Sequence, residues 1–324
     1  MGQHGDSMVM PTVLMFPGQG VQRVGMGQDV AERFAAARDL YEAADEALGL
    51  PLSQLMWKGP EDELTLTKNA QPAILLNALA ILRVVADGVT PSAAAGHSLG
   101  EIGAHVAAGA IDPIDAIRLV RIRGEAMFDA GRARPGTMAA VLGLDAWGVE
   151  RCCRDASTAS EICVPANLNA PEQIVISGDP PAVRRAAALC KGAGAKRVVP
   201  LNVSGAFHSP LMEPAVPTFR AAIDRTEIRD PAFPVIATAE TRRVEDATTA
   251  KRLLAAQLSG PVRWVGAMQL AAEVAGAPAT FIEVGSSKVL TGLLRRIVPD
   301  ATGVVLSTAD EIEAFLEQVS CTSS

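Results

Sequence analysis

Short apolar runs ending on glycine-rich turns alternate along this chain with longer stretches of helical character. Thr12–Phe16 is the first such run and leads into Pro17-Gly18-Gln19-Gly20. Pro91–Ala95 is another and leads into Gly96-His97-Ser98-Leu99-Gly100-Glu101, after which Glu101–Ala110 predicts a helix packed on small residues. Alternation of this kind predicts strand–helix units around a parallel sheet. The middle of the chain follows another order. The pattern predicts strand Thr137–Leu144, helix Ala146–Ala156, strand Ile162–Asn167, strand Glu172–Ser177, helix Pro180–Lys191 and strand Lys196–Leu201. That β-α-β-β-α-β order is ferredoxin-like. The expected architecture is therefore α/β, with a parallel-sheet, hydrolase-like core over residues 11–131 and 203–316. A ferredoxin-like small domain is expected over 132–202, with tails at 1–10 and 317–324.

The turn after the second run fits Gly-x-Ser-x-Gly, a nucleophile elbow in which serine sits on a sharp strand-to-helix turn. Small neighbours let the backbone turn tightly and lift the hydroxyl of Ser98 clear. A serine is a weak nucleophile without an adjacent base, most often imidazole. The chain has four histidines, His4, His97, His105 and His208. His97 adjoins Ser98, so its ring should project away. His105 lies about two helical turns on, ~10 Å along the axis, and His4 is in a polar N-terminal stretch. His208 remains, in a loop between Gly205 and Pro210. Read one at a time, the elbow is also compatible with a turn that merely contains serine, and His208 with a core histidine bonded to backbone. The first turn, with Gln19, would lie at the ligand edge of an α/β sheet. It is a candidate oxyanion donor through backbone N–H, together with Leu99, or a tight turn with no role.

Composition narrows the function class. The 324 residues are 49% apolar with a net charge of −7, enough for a sizeable core and without the basic runs expected of a nucleic-acid partner. Ile74–Ala86, the longest apolar stretch, is interrupted by Asn77 and Arg83, short of a membrane span. Met1–Ser7 lacks the features of a signal peptide. The five cysteines follow no disulfide or zinc spacing and read as reduced thiols, which suits a cytoplasmic protein.

Six ordered segments carry a resemblance: FPGQG at 16–20, GHSLGE at 96–101, VRIRGEAM at 120–127, GAFHSPLM at 205–212, QLSGPVRW at 257–264 and EVGSSKVLTGLLRRI at 283–297. Together they resemble the malonyl-CoA:acyl carrier protein transacylases, a family that includes the acyltransferase domains of fatty-acid and polyketide synthases. The resemblance implies that Ser98 carries the acyl group and that His208 is its base. It implies oxyanion donors at Gln19 and Leu99, and a main-chain carbonyl at Gln257 that orients the histidine. Arg123 would hold the malonyl carboxylate, and Phe207 would line the acyl pocket. The partners implied are malonyl-CoA and an acyl carrier protein, with the coenzyme A thioester as substrate and no cofactor. Two places depart from the family pattern: Val21 stands where serine is common, and Gly285-Ser286-Ser287 stands where Gly-Pro-Gly or Gly-Pro-Lys is usual.

A buried carboxylate without a partner would cost several kcal/mol, and a guanidinium meets it two-to-two as lysine cannot. Spacing leaves the inward arginine open among Arg118, Arg121 and Arg123, and only the resemblance selects Arg123. A carrier is usually acidic, so an acidic enzyme needs a local basic patch; Lys191, Lys196, Arg197, Arg295 and Arg296 are candidates. An acyl-thioester hydrolase of the same fold is the nearest alternative function. A non-catalytic carrier-docking subunit would not need Ser98, His208 and Arg123 together.

Overall fold

The computed structural model describes residues 11–276 and 278–322. Among the described residues ten strands appear in chain order: β1 (Thr12–Phe16), β2 (Pro91–Gly96), β3 (Thr137–Leu142), β4 (Cys163–Ala170), β5 (Gln173–Gly178), β6 (Arg197–Pro200), β7 (Val235–Ala237), β8 (Arg242–Val244), β9 (Thr280–Val284) and β10 (Thr302–Leu306). Six form one sheet in the order β10-β9-β1-β2-β7-β8. Every pairing in it is parallel except β7–β8 at one edge. Its central strands are apolar on both faces, as helix-covered parallel strands must be. Leu14, Phe16 and Ala94 face one core layer, and Val13, Met15, Ala93 and Ala95 the other.

Strands β3 to β6 make a second, antiparallel sheet in the order β4-β5-β3-β6. Helices Ala146–Ala156 and Pro180–Gly192 pack on it around Val141, Val149, Ile174, Ile176 and Ala186. Cys152, Cys153, Cys163 and Cys190 are buried and Cys321 is exposed.

Two expectations need correction. Residues 317–322 are not a tail: they extend the helix Ala309–Thr322. Leu316 and Val319, three apart on that helix, lie against Gly88 beyond the long core helix Thr67–Val85, and this contact holds the C-terminal turns. The other tail, 1–10 with His4, and residues 323–324 lie outside the described residues. The longest apolar stretch also exceeds the one read from sequence. Thr67–Gly88 is long and apolar enough to cross a membrane, yet 78% of its apolar window is buried within the protein.

Candidate active site

The site grows from two adjacent strand ends. β1 and β2 run parallel with Phe16 beside Gly96, so the loops that follow them leave side by side at the carboxyl edge of the sheet. The elbow is compressed against the first loop. A Cβ on Gly96 would lie 1.9 Å from the Gly100 carbonyl carbon, and one on Gly100 would lie 2.2 Å from the Phe16 carbonyl oxygen. Ser98 stands between them at φ 54°, a left-handed conformation that costs a non-glycine residue roughly 1–2 kcal/mol. The helix Gly100–Ala107 starts directly after Leu99. Among the described residues, the backbone N–H groups of Gln19 and Leu99 donate to no protein acceptor. The Gln19 side chain bonds Thr67 instead, at 3.2 Å.

The hydrogen-bond partner of the Ser98 hydroxyl comes from 110 residues further along the chain. Nε2 of His208 is 2.7 Å from Ser98 Oγ. Nδ1 faces two main-chain carbonyls, Gln257 at 3.0 Å and Gly260 at 3.1 Å. Two acceptors at Nδ1 require its proton to sit there, which leaves Nε2 as the acceptor for the serine hydroxyl. Burial, reinforced by the Arg123 charge, pushes the His208 pKa down to about 3, so the ring is neutral near neutral pH. The other two described histidines have different surroundings. His97 points away from the hydroxyl, with Nε2 2.8 Å from Asn169 Oδ1 on β4 and its ring beside Trp264. His105 is fully buried with neither ring nitrogen partnered among the described residues, and burial lowers its pKa to about 4.

Packing buries one of the three arginines. The helix Pro113–Ala133 turns Arg123 inward, 1% exposed, while Arg118 pairs with Asp115 at the surface and Arg121 bonds Glu125, Asn69 and the Lys68 carbonyl. Arg123 donates from one terminal nitrogen to Gln71 Oε1 at 2.7 Å, and from the other to Ser98 Oγ and Gln257 Oε1, each at 3.1 Å. Burial draws its pKa down to about 10, which leaves it cationic. Ser98 Oγ therefore accepts from a guanidinium while donating to an imidazole.

Phe207, 6% exposed, packs into the main core with its ring edge near Gly205. The two departures from the family pattern are neighbours: Ser286 Oγ donates to the Val21 carbonyl at 3.4 Å. Of the basic candidates, Lys191, Lys196, Arg197, Arg295 and Arg296 are all exposed, and Arg296 bonds Gln173 and the Pro171 carbonyl. Gln71, Gly260 and Asn169 were missed in the sequence. Gln71 left one signal, a polar residue within the apolar helix Thr67–Val85. The second sheet is tied to the same site, because the Val262 N–H bonds Ala166 of β4 at 2.8 Å and Leu168 returns a bond to Val262 at 2.9 Å. Among the described residues, no group of His, Cys, Asp and Glu side chains is arranged to hold a metal ion.

Comparison with known proteins places this chain in a family. The acyl transferase domain family matches residues 13–309. A malonyl CoA-acyl carrier protein transacylase of Bacillus subtilis is 41% identical over 94% of this chain and 95% of its own. The crystal structure of an acyl-carrier-protein-S-malonyltransferase from Bartonella henselae superposes with a TM-score of 0.89 at 41% identity, covering 96% of this chain and all of that one. A type II PKS acyl-carrier protein in complex with its malonyl-transacylase matches with a TM-score of 0.90 at 38% identity, over 95% of this chain and 99% of that one. Likeness of this depth over nearly the whole length, in sequence and in fold, makes the chain a member of the acyl transferase family to which the malonyl-CoA:acyl carrier protein transacylases belong.

Proposed function

We propose that this protein moves a malonyl group from malonyl-CoA to the phosphopantetheine thiol of an acyl carrier protein, through an ester on Ser98. The observation that carries the reading is the double contact at Ser98 Oγ, with His208 Nε2 at 2.7 Å and the Arg123 guanidinium at 3.1 Å. The guanidinium lies buried among neutral hydrogen-bond partners, ready for an anion one short acyl chain from the nucleophile. Malonyl has that anion and acetyl does not.

In the first half-reaction Ser98 Oγ attacks the thioester carbonyl and its proton passes to His208 Nε2. The negative oxygen is held by the N–H groups of Gln19 and Leu99; one such donor is typically worth about 3–4 kcal/mol of barrier. The carbon–sulfur bond breaks, and the departing coenzyme A thiol takes the proton from His208. In the second half the carrier thiol gives its proton to His208 and attacks the ester, and the carbon–oxygen bond to Ser98 breaks as Oγ recovers a proton. Gln257 and Gly260 carbonyls stabilise the imidazolium formed in each half. Phe207 closes one wall of the acyl pocket. Double-displacement kinetics follow.

Intact-mass measurement after mixing with malonyl-, methylmalonyl- and acetyl-CoA tests this, followed by addition of a holo-carrier protein. A malonyl adduct that moves to the carrier is expected. An adduct on Ser98→Ala, or free malonate with an unloaded carrier, overturns the assignment.

A further inference from the structure

We infer that Glu101 is a positioning residue for acyl selection, acting on Arg123 through the side-chain amide of Gln257. The inference rests on the transfer reading above.

Glu101 is fully buried in the first turn of the helix after the elbow, with no cation in contact among the described residues. Its Oε2 accepts three hydrogen bonds, from the Thr238 N–H at 2.9 Å, the Thr238 hydroxyl at 2.8 Å and Gln257 Nε2 at 2.7 Å. Its other oxygen has no partner among the described residues. Oε2 takes the Thr238 N–H and is therefore an acceptor, so the amide of Gln257 must present its NH2 to it. The amide oxygen then has one direction left, toward Arg123, where it accepts at 3.1 Å. A neutral, two-faced amide is thereby given a fixed sense. The guanidinium is bracketed by two amide oxygens, those of Gln257 and Gln71, and held with its fork toward Ser98. The backbone of Gln257 meanwhile accepts from His208, so base and clamp are registered on one residue. Burial raises the Glu101 pKa, and the bonds from Thr238 and Gln257, with the Arg123 charge, oppose that rise. The carboxyl group of Glu101 and the Arg123 guanidinium thus face each other across a single amide.

Glu101→Leu is the test: it removes the acceptor at similar volume, so nothing fixes the sense of the Gln257 amide and its NH2 can turn toward the guanidinium. Initial rates of acylation by malonyl-CoA and acetyl-CoA are measured for wild type and variant, with thermal melts alongside. The expected result is a malonyl KM raised about tenfold, acetyl acylation within about twofold of wild type, and a preference for malonyl reduced about tenfold. Equal losses for both substrates, or no change, overturn the inference. If the variant does not fold, Thr238→Val removes one of the three bonds and takes the same readout, where a preference reduced about threefold supports the inference and an unchanged one overturns it. Wild type is the internal control: if it forms no malonyl ester, the transfer reading itself fails and the inference falls with it.

Discussion

Ser98 and His208, 110 residues apart in the chain, are both held in the left-handed backbone region, at φ 54° and 56°, and meet there across a 2.7 Å hydrogen bond. Neither conformation is one a side-chain-bearing residue adopts freely, so the surrounding packing must impose both. The elbow glycines and the end of β1 do so for Ser98.

This strain predicts a split between activity and stability. Ser98→Ala and Ser98→Gly should both lose acylation by malonyl-CoA. The glycine variant should nevertheless be the more stable by about 1 kcal/mol, because it occupies positive φ without steric cost. Chemical denaturation of the two variants checks this.

Arg123→Ala should lower acylation by malonyl-CoA about 100-fold or more, the scale of removing one partner from a buried charge pair. Acetyl-CoA should not be penalised in proportion. Mass spectrometry with both thioesters reads the ratio, and a retained preference for malonyl would refute the clamp.

The same variant should change the pH profile. The Arg123 cation is one of the two main forces holding His208 near pKa 3, after burial. Removing it makes the protonated ring less unfavourable, so the pKa rises. The acid limb of acetyl-CoA acylation should therefore lie at higher pH in Arg123→Ala than in wild type.

Gly96→Ala should not fold normally. Its new Cβ would sit 1.9 Å from backbone carbon, and neither strand end nor elbow can give way. A loss of about 3 kcal/mol or more, or an insoluble product, is expected in expression and melting experiments.

Acid sensitivity should trace in part to His105. Its folded pKa, about 4, lies below the ordinary 6.5. Between those values the unfolded chain binds more protons, so stability falls as the pH drops through that window. His105→Leu should flatten the slope of stability between pH 6 and pH 4.5 by about 1 kcal/mol per pH unit, with acylation unchanged. Denaturant titrations at several pH values measure it.

Local pattern was enough for much of this molecule. Thr12–Phe16 and Ala146–Ala156 were readable to the residue, because a short apolar run before a glycine turn, or a capped apolar periodicity, is a property of neighbouring residues. Ser98 was legible for the same reason: the elbow needs small residues at fixed spacing. With four histidines to choose from, elimination also reached His208.

Tertiary structure decided the rest, since those contacts join residues that only packing brings together. Arg118, Arg121 and Arg123 share one helix, and the way Pro113–Ala133 packs determines which of them is buried. The bonds from Arg123 to Gln71 and Gln257 span 52 and 134 residues, distances over which no periodicity informs. Gly260 as a second acceptor for His208, Asn169 beneath His97, and the helical course of residues 317–322 all depend on surfaces that exist only after the sheet has assembled.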